Sequence, residues 1–169
     1  LIALTQDNIK SRLAYSTIGQ LSYIILGVGL ATESGVAGAA LHIPMHAFGK
    51  ITLFLCAGAI YQACGAKCIS EIHGLGRKFP LTMTAFFIGS LCVIGLPPTG
   101  GFVSKWYLVQ AALEADLWPV AVLILLGSLV ALVYVGRVIE ATYFRPPPPG
   151  APATREAPLQ MLIPTWILL

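Results

Sequence analysis

Three residues that can carry a proton recur at intervals of four inside a long apolar stretch. His42, His46 and Lys50 share one face of an α-helix, spread over about 80° and rising about 12 Å along its axis. Histidine titrates near neutral pH and can pass a proton on. Ionisable residues within a membrane are costly and typical of ion or proton paths. The spacing therefore predicts a line of proton carriers along one helix.

A fourth ionisable residue follows a predicted break in another helix. Pro97 and Pro98 each lack a backbone donor and interrupt an α-helix, and Gly101 belongs to the same Pro-Pro-Thr-Gly-Gly segment. Lys105 is then predicted in the first turn of the second half-helix, where burial and the positive end of the helix dipole both disfavour the ammonium form. Broken helices form ion sites in transporters. Glu114, near the end of this element, is a candidate for the proton exit.

An inert alternative exists for each of these residues. Lys105 could reach the membrane interface by snorkelling, and the histidines could simply hydrogen-bond to a neighbouring helix. Two histidines and a lysine on one stripe make the inert alternative the weaker one. The Cys64–Cys68 spacing is wrong for a zinc site, and neither a nucleophile–base pair nor a cofactor fingerprint is present. We therefore expect no metal, no cofactor and no catalytic residue in this chain.

The composition indicates a membrane protein. The chain has 169 residues, of which 57% are hydrophobic and 10% charged, whereas a soluble domain carries about 25% charged residues. We expect an all-α, polytopic transmembrane helix bundle with one discontinuous helix, and residues 1–169 as part of one membrane domain. Both ends interrupt apolar stretches, so we expect a fragment of a longer chain. Predicted spans cover residues 13–31, 36–64, 79–115 (broken at 97–101) and 118–140, with another starting at 159.

The basic residues test this arrangement and its orientation. If the broken element crosses the membrane once, the loops 1–12, 65–78 and 137–158 share one side and hold eight of the ten basic residues. If it crosses twice, those eight split five to three. The positive-inside rule favours the single crossing and makes the basic side cytoplasmic. The basic residues form no stripe along a surface, so a nucleic-acid partner is not expected.

Three segments resemble those of one membrane-protein family. The run Gln6-Asp7-Asn8-Ile9-Lys10-Ser11-Arg12-Leu13-Ala14-Tyr15-Ser16-Thr17 resembles a signature of the antiporter-like subunits shared by respiratory complex I and Mrp-type monovalent cation/proton antiporters. The segment from His42 to Phe54 is similar to their central proton-relay helix. The segment from Gly95 to Trp106 is similar to their discontinuous helix, whose lysine lies in the second half-channel. The run Lys105-Trp106-Tyr107-Leu108 is more similar to the D-type component of Mrp antiporters than to the proton-pumping subunits of complex I.

The resemblance implies a proton-translocating subunit of a hetero-oligomeric complex, in a bacterial cell membrane. It implies exchange of Na⁺ or K⁺ for protons, with other membrane subunits as partners, and a missing first half-channel that holds its own glutamate–lysine pair. One alternative is a proton-pumping subunit of an NADH:quinone oxidoreductase, and only such a complex would make the chain part of an enzyme. A second alternative is a structural subunit without transport. The carboxylate partners of Lys50 and Lys105 stay open.

Overall fold

The structure is a computed structural model that describes residues 2–147 and 156–169. Within these ranges it contains α-helices and short 3₁₀ turns but no strand, which confirms the all-α fold class. Arg155 and most of the proline-rich loop, which the charge count used, lie outside the described residues. The helices are α1 (Ile2–Thr5), α2 (Ile9–Gly29), α3 (Glu33–Cys64), α4 (Pro80–Ile94), α5 (Gly100–Glu114), α6 (Trp118–Phe144) and α7 (Leu159–Ile167).

Helix α3 is the longest element and carries the predicted proton line. It begins after Thr32, whose hydroxyl accepts a hydrogen bond from the backbone N–H of Gly35 at 3.0 Å, as a helix N-cap does. It continues through Pro44 and ends at Gly65, which adopts the left-handed conformation (φ 72°) that ends many helices. Its 32 residues span about 48 Å at 1.5 Å per residue, enough to cross a bilayer.

Helices α4 and α5 run in the same direction along α3 and together cross the bundle once. Residues later in α4 and α5 contact residues earlier in α3, so both helices run antiparallel to α3. The contact pairs are Gly89 with Thr52, Val93 with Gly49, Ser104 with His42 and Leu108 with Gly38. This order agrees with the single crossing favoured by the charges.

The break between α4 and α5 differs slightly from the prediction. Helix α4 ends at Gly95, in the left-handed conformation (φ 85°), and Pro97 and Pro98 lie in the connection. Helix α5 already begins at Gly100, so Gly101 belongs to its first turn. A side chain at Gly101 would overlap the backbone carbonyl of Cys92. The glycine therefore allows the start of α5 to pack directly on the end of α4.

One end of the bundle gathers the basic loops, and we call it the basic end. Here the backbone N–H of Ile9 donates to the carbonyl of Lys67 (3.0 Å), and the N–H of Gly74 donates to the carbonyl of Ala141 (3.1 Å). The opposite, far end holds residues 30–32 and 115–117, which include no basic residue. Helix α6 extends to Phe144, so Arg137, predicted in a loop, lies within the helix near the basic end.

The outer surface of the bundle suits a membrane. Helices α3 and α6 are long and apolar enough to span one by length and composition, and α4 is a shorter apolar helix. Large apolar side chains on α2 and α6 are at least half exposed in this chain, including Ile18, Ile25, Leu123, Leu125 and Leu129. Such a surface is covered by lipid or by neighbouring transmembrane helices.

The loop at the basic end provides a pH-dependent prediction. The Asp7 carboxylate accepts hydrogen bonds from the hydroxyl (2.7 Å) and backbone N–H (3.2 Å) of Ser70, and these bonds lower the pKa of Asp7. The stabilisation is therefore present above the unfolded pKa and is lost as the pH falls through the folded value. The backbone N–H of Ile69 donates to the Asp7 carbonyl (2.9 Å) beside this contact, so we expect that amide to exchange faster at about pH 3 than at about pH 5, after correction for intrinsic rates.

The matched variant is Asp7→Asn, which keeps an acceptor oxygen but does not titrate. In this variant, hydrogen exchange measured by mass spectrometry on the peptide around Ile69 should no longer differ between about pH 3 and about pH 5, after correction for intrinsic rates. An unchanged pH dependence in the variant would assign the effect to another group.

Candidate functional site

The predicted proton line on α3 faces the interior of the bundle. His42, His46 and Lys50 are only 2%, 9% and 5% exposed. The two imidazole rings are parallel within 5°, with centroids 5.9 Å apart. Lys50 follows one helical turn later on the same face. The three side chains therefore form a buried series along the helix axis, packed against α2 and α5 rather than facing lipid.

Lys50 binds neutral oxygens of α2. Its ammonium donates to the backbone carbonyl of Leu13 at 2.8 Å and to the Ser16 hydroxyl. The Ser16 hydroxyl also donates to the carbonyl of Leu13 at 2.8 Å, so Ser16 is held in place from both sides. No carboxylate pairs with Lys50 among the described residues. The positive charge is thus held by hydrogen bonds, without an opposite charge that would fix the proton there.

Lys105 lies at the junction of three helices. It is the sixth residue of α5 and so lies in the second turn, not in the first turn as predicted. Its ammonium donates to the carbonyls of Val93 (3.0 Å) and Ile94 (2.8 Å), in the last turn of α4, and to the Ser128 hydroxyl (3.1 Å) on α6. The negative end of the α4 dipole favours the ammonium form. The α4 dipole therefore opposes the predicted effect of the α5 dipole on the Lys105 ammonium.

Two residues that the sequence reasoning missed lie next to the α3 line, and one of them, Tyr23, stands between it and Lys105. Nδ1 of His42 is hydrogen-bonded to the Ser104 hydroxyl at 2.9 Å. The Tyr23 ring stands at 74° to the His42 ring with centroids 5.6 Å apart, and the Lys105 ammonium lies 5.1 Å from the Tyr23 ring centroid. Tyr23 therefore separates two groups that both become cations on protonation, and its ring attracts the ammonium.

The described part of the site contains two buried ring nitrogens without a hydrogen-bond partner. Within the described residues, Nε2 of His42 and Nδ1 of His46 are buried and have no hydrogen-bond partner. Buried polar atoms are normally hydrogen-bonded. These two atoms are therefore positions where a water molecule or a proton can bind, between Lys50 on one side and Ser104 and Tyr23 on the other.

The remaining predicted residues lie outside this group. The Glu114 carboxylate is exposed and accepts a hydrogen bond from the Ser34 hydroxyl at 2.8 Å, which links the ends of α5 and α3. It lies nine residues beyond Lys105, about 13.5 Å along the helix. Pro97 and Pro98 lie in the connection before α5 and position Lys105 by ending α4. The structure thus brings together His42, His46, Lys50 and Lys105, and leaves Glu114 apart.

A lateral cavity of about 580 Å³ between α2 and α6 borders the site. Its polar lining comprises Tyr15, Ser16, Gln20, Ser22, Tyr23 and Tyr134, and the rest is apolar. Because Ser16 binds Lys50 and Tyr23 contacts Lys105, this cavity adjoins both ends of the buried series.

Gly127 leaves room for Tyr23 and provides a matched test. A side chain at Gly127 would overlap the Tyr23 hydroxyl, whereas one at Gly136, on the same helix, would meet nothing within 4 Å. Glycine in a helix interior is less favourable than alanine by about 0.5–1 kcal/mol. We therefore expect Gly136→Ala to leave thermal stability and proton transport unchanged or slightly improved. Gly127→Ala should lower both, because the Tyr23 ring is held between His42 and Lys105. Equal behaviour of the two variants in the intact complex would contradict this placement of Tyr23.

Comparison with known proteins places this geometry in a family. The sequence profile of the family described as "NADH:quinone oxidoreductase/Mrp antiporter, TM" matches residues 1–131. NADH-quinone oxidoreductase subunit N of Desulforudis audaxviator is 41% identical over 99% of this chain and 36% of the relative. F(420)H(2) dehydrogenase subunit L of Methanosarcina mazei is 33% identical over 99% of this chain and 27% of the relative. The chain thus spans about a third of the length of these relatives.

Solved structures show the same fold. An archaeal membrane-bound sulfane sulfur reductase has a TM-score of 0.91 and 33% identity, over 99% of this chain and 28% of that chain. The Mrp complex from Dietzia sp. DQ12-45-1b has a TM-score of 0.89 and 24% identity, over 98% and 39% of the two chains. Respiratory complex I from Thermus thermophilus has a TM-score of 0.85 and 23% identity, over 99% and 36%; the last two likenesses concern the fold alone.

The profile match covers most of the chain, and the relatives and structures agree with it over nearly its whole length. The predicted resemblance to antiporter-like subunits and the membrane location are therefore confirmed. The chain belongs to the transmembrane family of NADH:quinone oxidoreductases and Mrp antiporters, and it is an antiporter-like membrane subunit.

Proposed function

We propose that this chain carries protons along Lys50, His46, His42 and Lys105 as part of a redox-driven, multi-subunit membrane complex. The observation that supports the proposal is the buried series of proton-binding side chains, one helical turn apart on α3, with the Tyr23 ring between His42 and the buried Lys105 ammonium. Lysine and histidine nitrogens bind protons reversibly, and these nitrogens meet only neutral oxygens or no partner at all within the described residues.

In this proposal a proton enters at Lys50 from the side of the basic end and moves to the free nitrogens of His46 and His42. The Tyr23 ring lies between His42 and Lys105, so in this proposal water beside that ring carries the proton on to Lys105, whose ammonium is held by the end of α4 until the charge moves on. Burial makes each added charge costly, so charging one site favours release from its neighbour. The positive-inside rule makes the basic end cytoplasmic.

The proposed driving reaction comes from the relatives. Relatives at 30% identity or more include subunits of NADH-quinone oxidoreductases and of F(420)H(2) dehydrogenase, and a chain of a membrane-bound sulfane sulfur reductase. We propose that other subunits of such a complex hold the redox groups, that this chain holds no cofactor, and that its partners are neighbouring membrane subunits.

Exchange of Na⁺ or K⁺ for protons is the second candidate. It is supported by the fold of the Mrp complex and by the similarity of Lys105-Trp106-Tyr107-Leu108 to the D-type component of Mrp antiporters. In the structure, Trp106 is 53% exposed and stacks on Phe102 with centroids 6.1 Å apart. The tryptophan in that run therefore contacts the outer surface of the bundle rather than the buried series.

Membrane vesicles that contain the intact complex distinguish these functions. The redox-driven function predicts proton uptake when an electron donor is added, unchanged when Na⁺ is replaced by choline. Cation exchange predicts proton movement on a Na⁺ or K⁺ pulse without any donor. A purely structural subunit predicts wild-type proton movement after both Lys50 and Lys105 are replaced.

A further inference from the structure

The buried series is closed toward the far end by an apolar layer, which we call the far-end plug. Leu108 and Ile124 form this plug; they pack on the Tyr23 ring of the site in a hydrophobic cluster separate from the main core, and partly buried Leu26, Val109 and Val120 pack against it. The main core lies toward the basic end and includes Leu53, which is fully buried. The plug is therefore a small, independent packing unit on one side of the proton series.

The plug lies one helical turn beyond the proton series on four helices at once. On each helix the plug position is four residues from a residue of the site. These pairs are Gly27 and Tyr23 on α2, Gly38 and His42 on α3, Leu108 and Ser104 on α5, and Ile124 and Ser128 on α6. Because four residues advance about one turn, the four positions form a single layer across the bundle.

Leu108 fills the centre of this layer. Its side chain is fully buried (0% exposed). A Cβ at Gly27 would lie 2.5 Å from Leu108 Cδ2, and one at Gly38 would lie 3.1 Å from both Cγ and Cδ2. The two glycines thus form a collar that Leu108 occupies without space for water. A dry apolar constriction of this kind blocks the passage of ions and protons.

The plug is also the thinner of the two barriers around the proton series. From Lys105 to Glu114, where Ser34 closes the end of the bundle, α5 advances only about 13.5 Å. From Lys50 to Cys64, at the basic end of α3, the main core extends over about 21 Å. Opening the plug therefore displaces fewer side chains than opening the main core.

We infer that Leu108, seated in the collar of Gly27 and Gly38, is the gate that separates the proton series from the far end of the membrane. In this closed arrangement, a proton on His42 or Lys105 moves through the bundle interior to the far end only after Leu108 leaves the collar and water enters. The inference rests on the proposed proton path and adds the step that controls release from it.

The test is passive proton permeability of liposomes containing the intact complex, with no electron donor. Leu108→Asn should raise the proton leak about tenfold, the change that follows when a barrier falls by about 1.4 kcal/mol. Leu108→Met, which stays apolar, should remain tight. The matched control is Leu53→Asn, an equally buried leucine in the thick main core, which should not leak. Equal leaks from both asparagine variants, or none from Leu108→Asn in an assembled complex, would overturn the inference.

A second variant hinders opening of the gate instead of weakening its closure. It provides a test even if Leu108→Asn fails to assemble. Gly38→Ala places a Cβ 3.1 Å from Leu108 and narrows the collar. A gate that must open predicts at least a threefold slower donor-driven proton translocation with an assembled, tight complex; a static wall predicts the wild-type rate. If replacing Lys50 and Lys105 leaves translocation intact, the proposed path itself is wrong. If only the Leu108 and Gly38 variants behave as wild type, the gate alone is wrong.

Discussion

Lys50→Met in the intact complex should lower proton translocation through this subunit by at least about tenfold, because a positioned acid–base group contributes about 10²–10⁴-fold to proton transfer. Methionine has a similar length and needs no hydrogen bond, so it fills the space of Lys50 without the cost of a buried ammonium. The Leu13 carbonyl keeps the Ser16 hydroxyl as a donor at 2.8 Å, so the complex should assemble and keep its thermal stability. The measurement is donor-driven acidification of inverted vesicles, followed with a pH-sensitive dye.

The matched control for this prediction is Lys10→Met. Lys10 lies at the exposed start of α2, with its ammonium 5.4 Å from the ring centroid of Tyr61, outside the buried series. This variant should translocate protons as the wild type does. Loss of transport in both variants would point to a general effect of removing positive charge near the membrane.

The Lys105 variants separate a structural role from proton transfer. Lys105→Arg retains a cation that can donate to the carbonyls of Val93 and Ile94 at the end of α4, but arginine does not release its proton in a protein. We expect this variant to assemble with wild-type thermal stability and to lose at least about tenfold in proton translocation. Lys105→Met should lose both transport and stability, since it leaves the two carbonyls without their donor.

Thermal unfolding of the purified complex and the vesicle assay together check this pair of variants. If Lys105→Arg transports as well as the wild type, proton release at this position is not required. If Lys105→Met is as stable as the wild type, the contact between the ammonium and α4 contributes little to the fold.

The line on α3 could be predicted from the sequence because one helix contains all of it. The spacing of His42, His46 and Lys50 determines a shared face whatever the rest of the fold does. The single crossing of the broken element was predictable for a similar reason, since basic residues at the ends of apolar stretches report their side of the membrane.

The surroundings of Lys105 could not be predicted in the same way. Its ammonium is held by carbonyls of the preceding half-helix and by Ser128 of the next helix, and these partners meet only after the Pro97–Pro98 connection folds. Tyr23 enters the site from α2, 82 positions before Lys105 in the numbering. The sequence offered one indication that α6 faces the site: Gly127 and Ser128 are small residues, the second of them polar, within the otherwise apolar first half of α6.

The central claim is that Lys50 and Lys105 are two ends of one proton path. The most direct test measures protons translocated per electron for Lys50→Met, Lys105→Arg and the double variant of the intact complex. One path predicts that each single variant removes the whole contribution of this subunit and that the double variant removes nothing more, because residues acting as a unit are not additive. Two independent paths predict a further loss in the double variant, and that result, or wild-type ratios in either single variant, would contradict the account.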